Sequence, residues 1–238
     1  MFEHLKNLFA RPSRELAEFE GFMATKLIVG LGNIGSEYIG TRHNAGFSVI
    51  EELASANGGS GADAEFKNVK EFFAHVGKLN IAGSNVILAK PTTYMNLSGR
   101  AVNAILRYFK IEFEDLLVVH DDVSIPLGRL RLQKAGGAGG QHGVESIIEC
   151  LGGRKDFSRL KFGVGPDPGG AKRAQYVLSR IPAADQELYQ KMVQLSAEAI
   201  SFWSTKGILE SMNKYNSINL VPPPPDDESP SQDPDKSE

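Results

Sequence analysis

Leu27-Ile28-Val29-Gly30-Leu31-Gly32-Asn33, followed by Thr41-Arg42-His43-Asn44-Ala45-Gly46, decides how this 238-residue chain folds. Three consecutive apolar residues read as a short buried strand, and the glycines behind them turn the backbone sharply. From Thr41 the pattern changes. Phe47, Ile50, Leu53 and Ala54 recur at helical spacing, so a helix capped by Thr41 is expected, with that face inward. A buried strand, a glycine turn and a helix make one unit of an α/β sheet.

The alternation continues on the C-terminal side. Phe72 to Leu79 and Asn85 to Ala89 read as strands, with Ala82-Gly83-Ser84 as the turn between them. Asn96 to Lys110 reads as a helix with Val102, Ile105, Leu106 and Phe109 inward. Leu116 to Val119 is a further strand, ending at His120-Asp121-Asp122, and Leu130 to Leu132 another. The glycine-rich stretch Gly136 to Gly143 leads into a helix around Val144 to Leu151. Leu160 to Val164 is the last strand, and long helical patterns fill Ala183 to Asn213. There is no internal repeat. The expected fold class is α/β: a single domain whose twisted, mixed, largely parallel sheet is flanked by helices.

That domain is expected at residues 24–217. Residues 1–23 read as an N-terminal extension, a short amphipathic helix or a disordered start, and Met23 offers a second plausible start. Residues 218–238 contain the run Pro222 to Pro225 and then acids and serines; such a tail is expected to be disordered.

Composition sets the outer limits. Hydrophobic residues are 41% and charged residues 23%, as expected of a soluble globular protein. No run of about 18 apolar residues marks a membrane span. Residues 1–23 lack the apolar stretch of a secretory signal, and their four acids argue against a transit peptide. Cys150 stands alone, so no internal disulfide can form and a cytoplasmic setting is expected; Cys150 itself reads as a core filler rather than a nucleophile. The net charge of −3 hides an uneven spread: the tail carries −5 and residues 1–23 carry −1, leaving about +3 for the domain. A mildly basic domain permits RNA contact without demanding it.

Gly30-Leu31-Gly32-Asn33-Ile34-Gly35 fits the dinucleotide pattern G-x-G-x-x-G. Glu37, Tyr38, Ile39 and Gly40 intervene between those glycines and the helix start at Thr41, and Glu51 and Glu52 fall on the helix rather than on a second strand. A pyrophosphate site needs the helix N-terminus inside the glycines, so nucleotide binding is set aside. Polar residues recur just beyond the apolar strands: Asn33, His43, Asn44, Asn96, His120 and Asp121. The carboxyl ends of strands in an open α/β sheet are where ligands bind. His75, inside a strand pattern, and His4 read as structural. His43 starts a helix, where an imidazole can serve as a general base, and Asp121 at a strand's end is the carboxylate placed to orient it, ahead of Asp122. His43, His120 and Asp121 have no metal-ligand spacing, so no metal and no cofactor is expected.

These blocks carry a family resemblance. Lys26 to Asn33, Tyr38 and Thr41 to Gly46 resemble the opening signature of bacterial-type peptidyl-tRNA hydrolases. Lys90-Pro91-Thr92-Thr93-Tyr94-Met95-Asn96-Leu97-Ser98-Gly99 resembles the second signature. Val119 to Asp122 with Ile125 to Gly128 resembles the third, and Gly136 to Gly143 the glycine-rich fourth. Leu160 to Gly165 and Met212 to Asn216 resemble later blocks. The resemblance implies a carboxylic ester hydrolase with this family's fold. It frees tRNA from prematurely released peptide without metal, and it acts in the cytoplasm as a monomer with no obligate protein partner. His43 then corresponds to the catalytic histidine and Asp121 to its orienting aspartate. Asn33, Tyr38, Met95, Asn96 and His142 correspond to substrate-binding positions. Three departures stand out. Ile34 replaces a proline, which costs turn rigidity. His142 stands where the family has asparagine; a histidine can also donate or accept a hydrogen bond, but it is larger and titratable. Of the basic clamp on the tRNA 5′-phosphate, Lys161 is present, but Gln133 occupies the other position, flanked by Arg131 and Lys134. A neutral amide lacks the ionic part of such a contact, so weak phosphate discrimination is expected. The rival function on this fold is a non-catalytic RNA-binding splicing cofactor, and a nucleotide-dependent enzyme is a weaker third.

Overall fold

Strand β1 (Lys26–Gly30) is buried from Leu27 onward and takes the centre of the sheet. Residues buried on both faces belong between other strands, and β1 pairs in parallel with β4 (Ser84–Pro91) on one side and β5 (Leu116–Pro126) on the other. The computed structural model describes residues 12–57 and 65–221; the expectations for residues 1–11, including His4, and for the tail from Pro222 onward lie outside them. The described strands form one seven-stranded sheet in the order β2-β3-β4-β1-β5-β7-β6. The remaining strands are β2 (Lys67–Val69), β3 (Ala74–Ile81), β6 (Leu130–Gln133) and β7 (Ser158–Gly165). The four central strands run parallel, because β5 also pairs in parallel with β7, while β2, β3 and β6 add antiparallel edges.

Alternating side chains divide the core into two layers. Ile28, Leu117 and Val119 face α2 (Ala45–Asn57), α6 (Gln186–Lys206) and α7 (Ile208–Tyr215). Leu27, Val29, Leu116 and Val118 face α3 (Ser98–Phe109) and α4 (His142–Cys150). Each fully buried aliphatic side chain contributes about 1.5–3 kcal/mol, more than the spread of intrinsic propensities, so this burial fixes which strands are central. No helix among the described residues is long and apolar enough to cross a membrane.

Several elements differ from the sequence reading. Phe47 is only half-buried: its ring covers the glycine turn, where a side chain on Gly32 would meet it at 2.8 Å, and Val49 takes the core position instead. Thr41 makes no side-chain cap; its hydroxyl donates to Tyr38 O at 2.7 Å, and a 3-10 turn (Arg42–Asn44) precedes α2. Phe72 closes a 3-10 turn, and Phe73 lies in the left-handed region at φ 51°, so the strand begins only at Ala74. Strand β5 continues past Val119 to Pro126, because its polar end still pairs with β7. Cys150 is exposed at the end of α4 and fills no core. Strand β2 and helix α5 (Lys172–Val177) had no place in that reading, and residues 12–23 hold one short helix, α1 (Arg14–Ala17).

Residues 12–23 pack onto the β2–β3 edge. Phe19 is 2% exposed and meets Phe72 and Phe109 edge-on at 6.3 and 6.1 Å. Ser13 caps α1 and hydrogen-bonds Glu71, while Glu18 pairs with Lys67.

Candidate active site

The three-residue turn before α2 is clamped on both flanks. Arg42 is buried, donates to Ser179 Oγ at 2.6 Å and to Arg180 O at 2.9 Å, and stacks on Tyr176. Asn44 is buried on the other flank and brackets the glycine turn, accepting from Asn33 N at 2.9 Å and donating to Asn33 O at 3.0 Å. Between them His43 projects toward the end of β5. Glycine makes the approach possible: a side chain on Gly46 would lie 2.4 Å from Leu31 N and 2.6 Å from Val119 O. The helix start therefore sits directly on β1 and β5.

His43 Nδ1 lies 2.9 and 3.0 Å from the two oxygens of Asp121. Their side chains are 12% and 3% exposed. A carboxylate can only accept, so Nδ1 carries the proton and Nε2 is left as the basic atom. Burial works against a charged His43, but the Asp121 charge and hydrogen bond outweigh it and raise the imidazole above its ordinary value. Burial likewise opposes the Asp121 charge, and His43 overcomes it, with help from Gln141, so its carboxyl lies below the usual range.

Gln141 is a participant that the sequence reading missed. It is the N-cap of α4: its Oε1 accepts from Val144 N at 2.9 Å while its Nε2 reaches Asp121 Oδ1 at 3.3 Å. An uncharged polar residue just before a helical run after glycines is the signal that could have found it. His142 is mostly exposed and meets Glu145 at 3.2 Å. His120 is buried; its Nδ1 lies 2.8 Å from Asp121 O, and burial holds its pKa down.

A cleft of about 510 Å³ opens beside the pair. Asn33, His43, Asp121, the loop from Ala138 to His142 and α5 line it. The Asn33 side-chain amide has no protein partner among the described residues and is available to a ligand. Helix α5 forms the far wall and was also missed; Ala171, Ala174, Val177 and Leu178 after Gly169-Gly170 carry its helical spacing. Other expected site residues stand outside this lining. Tyr38 is half-buried on the turn after β1, Met95 is buried behind Gln141, and Asn96 is exposed just before α3. Lys161 pairs with Asp122 at 2.9 Å; Arg131 lies directly opposite Lys161 across the β6–β7 ladder, Gln133 opposite Arg159, and Lys134 is exposed beyond the strand. Among the described residues, no group of three potential metal ligands converges.

A family model described as peptidyl-tRNA hydrolase matches residues 27–222. The chain is similar to the peptidyl-tRNA hydrolase of Lachnospira eligens, 46% identical over 190 residues, covering 80% of this chain and 98% of that protein. It is also similar to that of Syntrophomonas wolfei, 44% identical and covering 80% of this chain and all of that protein. Among solved structures, peptidyl-tRNA hydrolase from Acinetobacter baumannii superposes with a TM-score of 0.76 at 34% identity, over 83% of this chain and 97% of that one.

Proposed function

The chain belongs to the peptidyl-tRNA hydrolase family and hydrolyses the ester that joins peptide to tRNA; from that premise we propose that His43 is its general base and Asp121 the group that orients it. The observation that carries this reading is the buried His43–Asp121 pair at the mouth of the cleft. Neutral His43 takes a proton from water at Nε2, and the hydroxide attacks the ester carbonyl. The tetrahedral intermediate then expels the ribose 3′-oxygen, which takes the same proton back. The products are a peptide acid and tRNA with a free 3′-end. Asp121 stabilises the imidazolium that exists between the two transfers. Asn33 places the ester through its free amide and His142 borders the rest of the 3′-end from the cleft lining; Tyr38 and Asn96 stand beyond that lining for the flanking nucleotides, and Met95 backs Gln141. We assign the chemistry to residues 24–217, acting as a cytoplasmic monomer, with residues 1–23 as an appended segment. No observation favours the rival reading of a non-catalytic RNA-binding cofactor. The test is direct: purified protein, without added metal, is expected to release the N-blocked amino acid from N-blocked aminoacyl-tRNA. Release no faster than in buffer rejects the reading.

The tRNA 5′-phosphate is assigned to Lys161 and Arg131, with Lys134 nearby. Lys161 is already neutralised by Asp122, and Arg131 is exposed. Exposed ion pairs contribute only about 0–1 kcal/mol, so removing the phosphate is expected to lower kcat/KM by no more than roughly fivefold. A hundredfold loss would show a strong clamp despite Gln133.

A further inference from the structure

Arg159 on β7 has no exposed surface, yet it makes no ion pair with a described carboxylate. Its guanidinium stacks on Phe157 at 4.4 Å, and its Nε and Nη2 find no protein acceptor among the described residues. Burial lowers its pKa to about 10, so it still carries its charge at neutral pH. An unpaired buried charge is costly and calls for a compensating role. The guanidinium's one hydrogen bond among the described residues is short: Nη1 donates to Gly137 O at 2.7 Å.

Gly137 lies in the glycine-rich loop that lines the cleft. Four of the five residues from Gly136 to Gly140 are glycine, and Gly139 and Gly140 take φ values of 62° and 83°. Such a segment has little conformational preference of its own, so outside contacts must fix it. Among the described residues its backbone has few hydrogen bonds: Gly136 N to Lys155 O at 3.2 Å and the bond from Arg159 reach outside the loop, Gln141 N to Ala138 O at 3.1 Å closes it from within, and Ala138 alone packs on the core. A charged donor makes the Arg159 bond the strongest of the three. The loop ends at Gln141, whose amide touches both Asp121 and Met95.

We propose that Arg159 is a positioning residue: its buried guanidinium pins Gly137 and so holds the glycine-rich loop, and Gln141 at its end, in register with Asp121. The inference rests on the hydrolase reading above only for its kinetic consequence. The placement of the loop is a separate matter and can be measured separately.

The experiment compares Arg159→Met, Arg159→Gln and Arg159→Lys with wild type and with Gln141→Ala. Hydrogen exchange is followed by mass spectrometry, and turnover is measured on N-blocked aminoacyl-tRNA. In folded Arg159→Met, exchange is expected to rise over residues 136–141 and not over the β-sheet, and kcat is expected to fall roughly tenfold with little change in KM. Adding Gln141→Ala to that variant is expected to cost little more, since both changes remove one contact. The Lys variant, which keeps a charged donor, is expected to recover part of the rate. Should the Met variant not fold, the Gln variant carries the same test, because its neutral amide is too short for the contact. Wild-type exchange in the loop of a folded variant overturns the proposal, as do independent, multiplying effects of the two substitutions. If wild type shows no hydrolysis, the exchange result still decides the Arg159 contact, and only the function assigned above falls.

Discussion

His43→Ala is expected to lower kcat on N-blocked aminoacyl-tRNA by about 10²–10⁴-fold, the usual contribution of a positioned base, with KM changed by less than about threefold. The loss falls on kcat because Nε2 meets water and the leaving oxygen, not the bulk of the tRNA. Among the described residues no other imidazole is placed to substitute. His120 has its Nδ1 engaged by a backbone carbonyl and lies 2% exposed, and His142, on the cleft lining, is engaged by Glu145 and not by Asp121. The variant should fold, because His43 sits on a turn that Arg42 and Asn44 hold without it. It does leave the Asp121 carboxylate buried without its His43 hydrogen bond, so some stability is lost and the Asp121 pKa rises. A thermal melt separates this from the kinetic effect. Rates within threefold of wild type would remove His43 from the mechanism.

How much of this was legible in the sequence depends on what each residue's neighbours are. Strand β1 was legible because its apolar run is continuous and glycine ends it. Asp121 was legible as a carboxylate at the end of such a run. The far half of β5 was not, because its side chains from Asp121 onward face a cleft or solvent, so hydrophobicity fell while backbone pairing continued. Phe47 misled for the opposite reason: an apolar ring at helical spacing covers a glycine turn instead of entering the core. Gln141 and Arg159 could not be found by pattern. A glutamine before a helix is common, and an arginine in a strand normally reads as an exposed face. Only the assembled fold shows that one amide meets Asp121 and that one guanidinium is fully buried.

Asp121→Asn is expected to separate two effects that the wild-type pair combines. The imidazole can keep its tautomer, since the remaining oxygen of asparagine can still accept from Nδ1 and from Gln141 Nε2, as Oδ1 does now. What disappears is the negative charge facing the imidazolium, and kcat is expected to fall by roughly 10²–10⁴-fold. The pH profile then moves in a defined direction. In wild type the His43 pKa is raised, so activity is lost as pH falls through a value above the ordinary imidazole pKa of about 6.5. Without the charge, burial is the largest remaining influence and it lowers the pKa. The acid limb of kcat/KM therefore shifts to lower pH, and the residual activity of the variant persists where wild type has begun to lose its own. Stability moves differently. The raised His43 contributes below its unfolded pKa and is lost as pH rises through the folded one; the depressed Asp121 contributes above its unfolded pKa and is lost as pH falls through the folded one. The pair therefore stabilises most between about pH 4 and pH 6.5, just where the base is increasingly protonated and idle. Urea midpoints at pH 5 and pH 8 are expected to show a larger deficit for the variant at pH 5. An acid limb that stays in place would mean that the Asp121 charge does not set the basicity of His43.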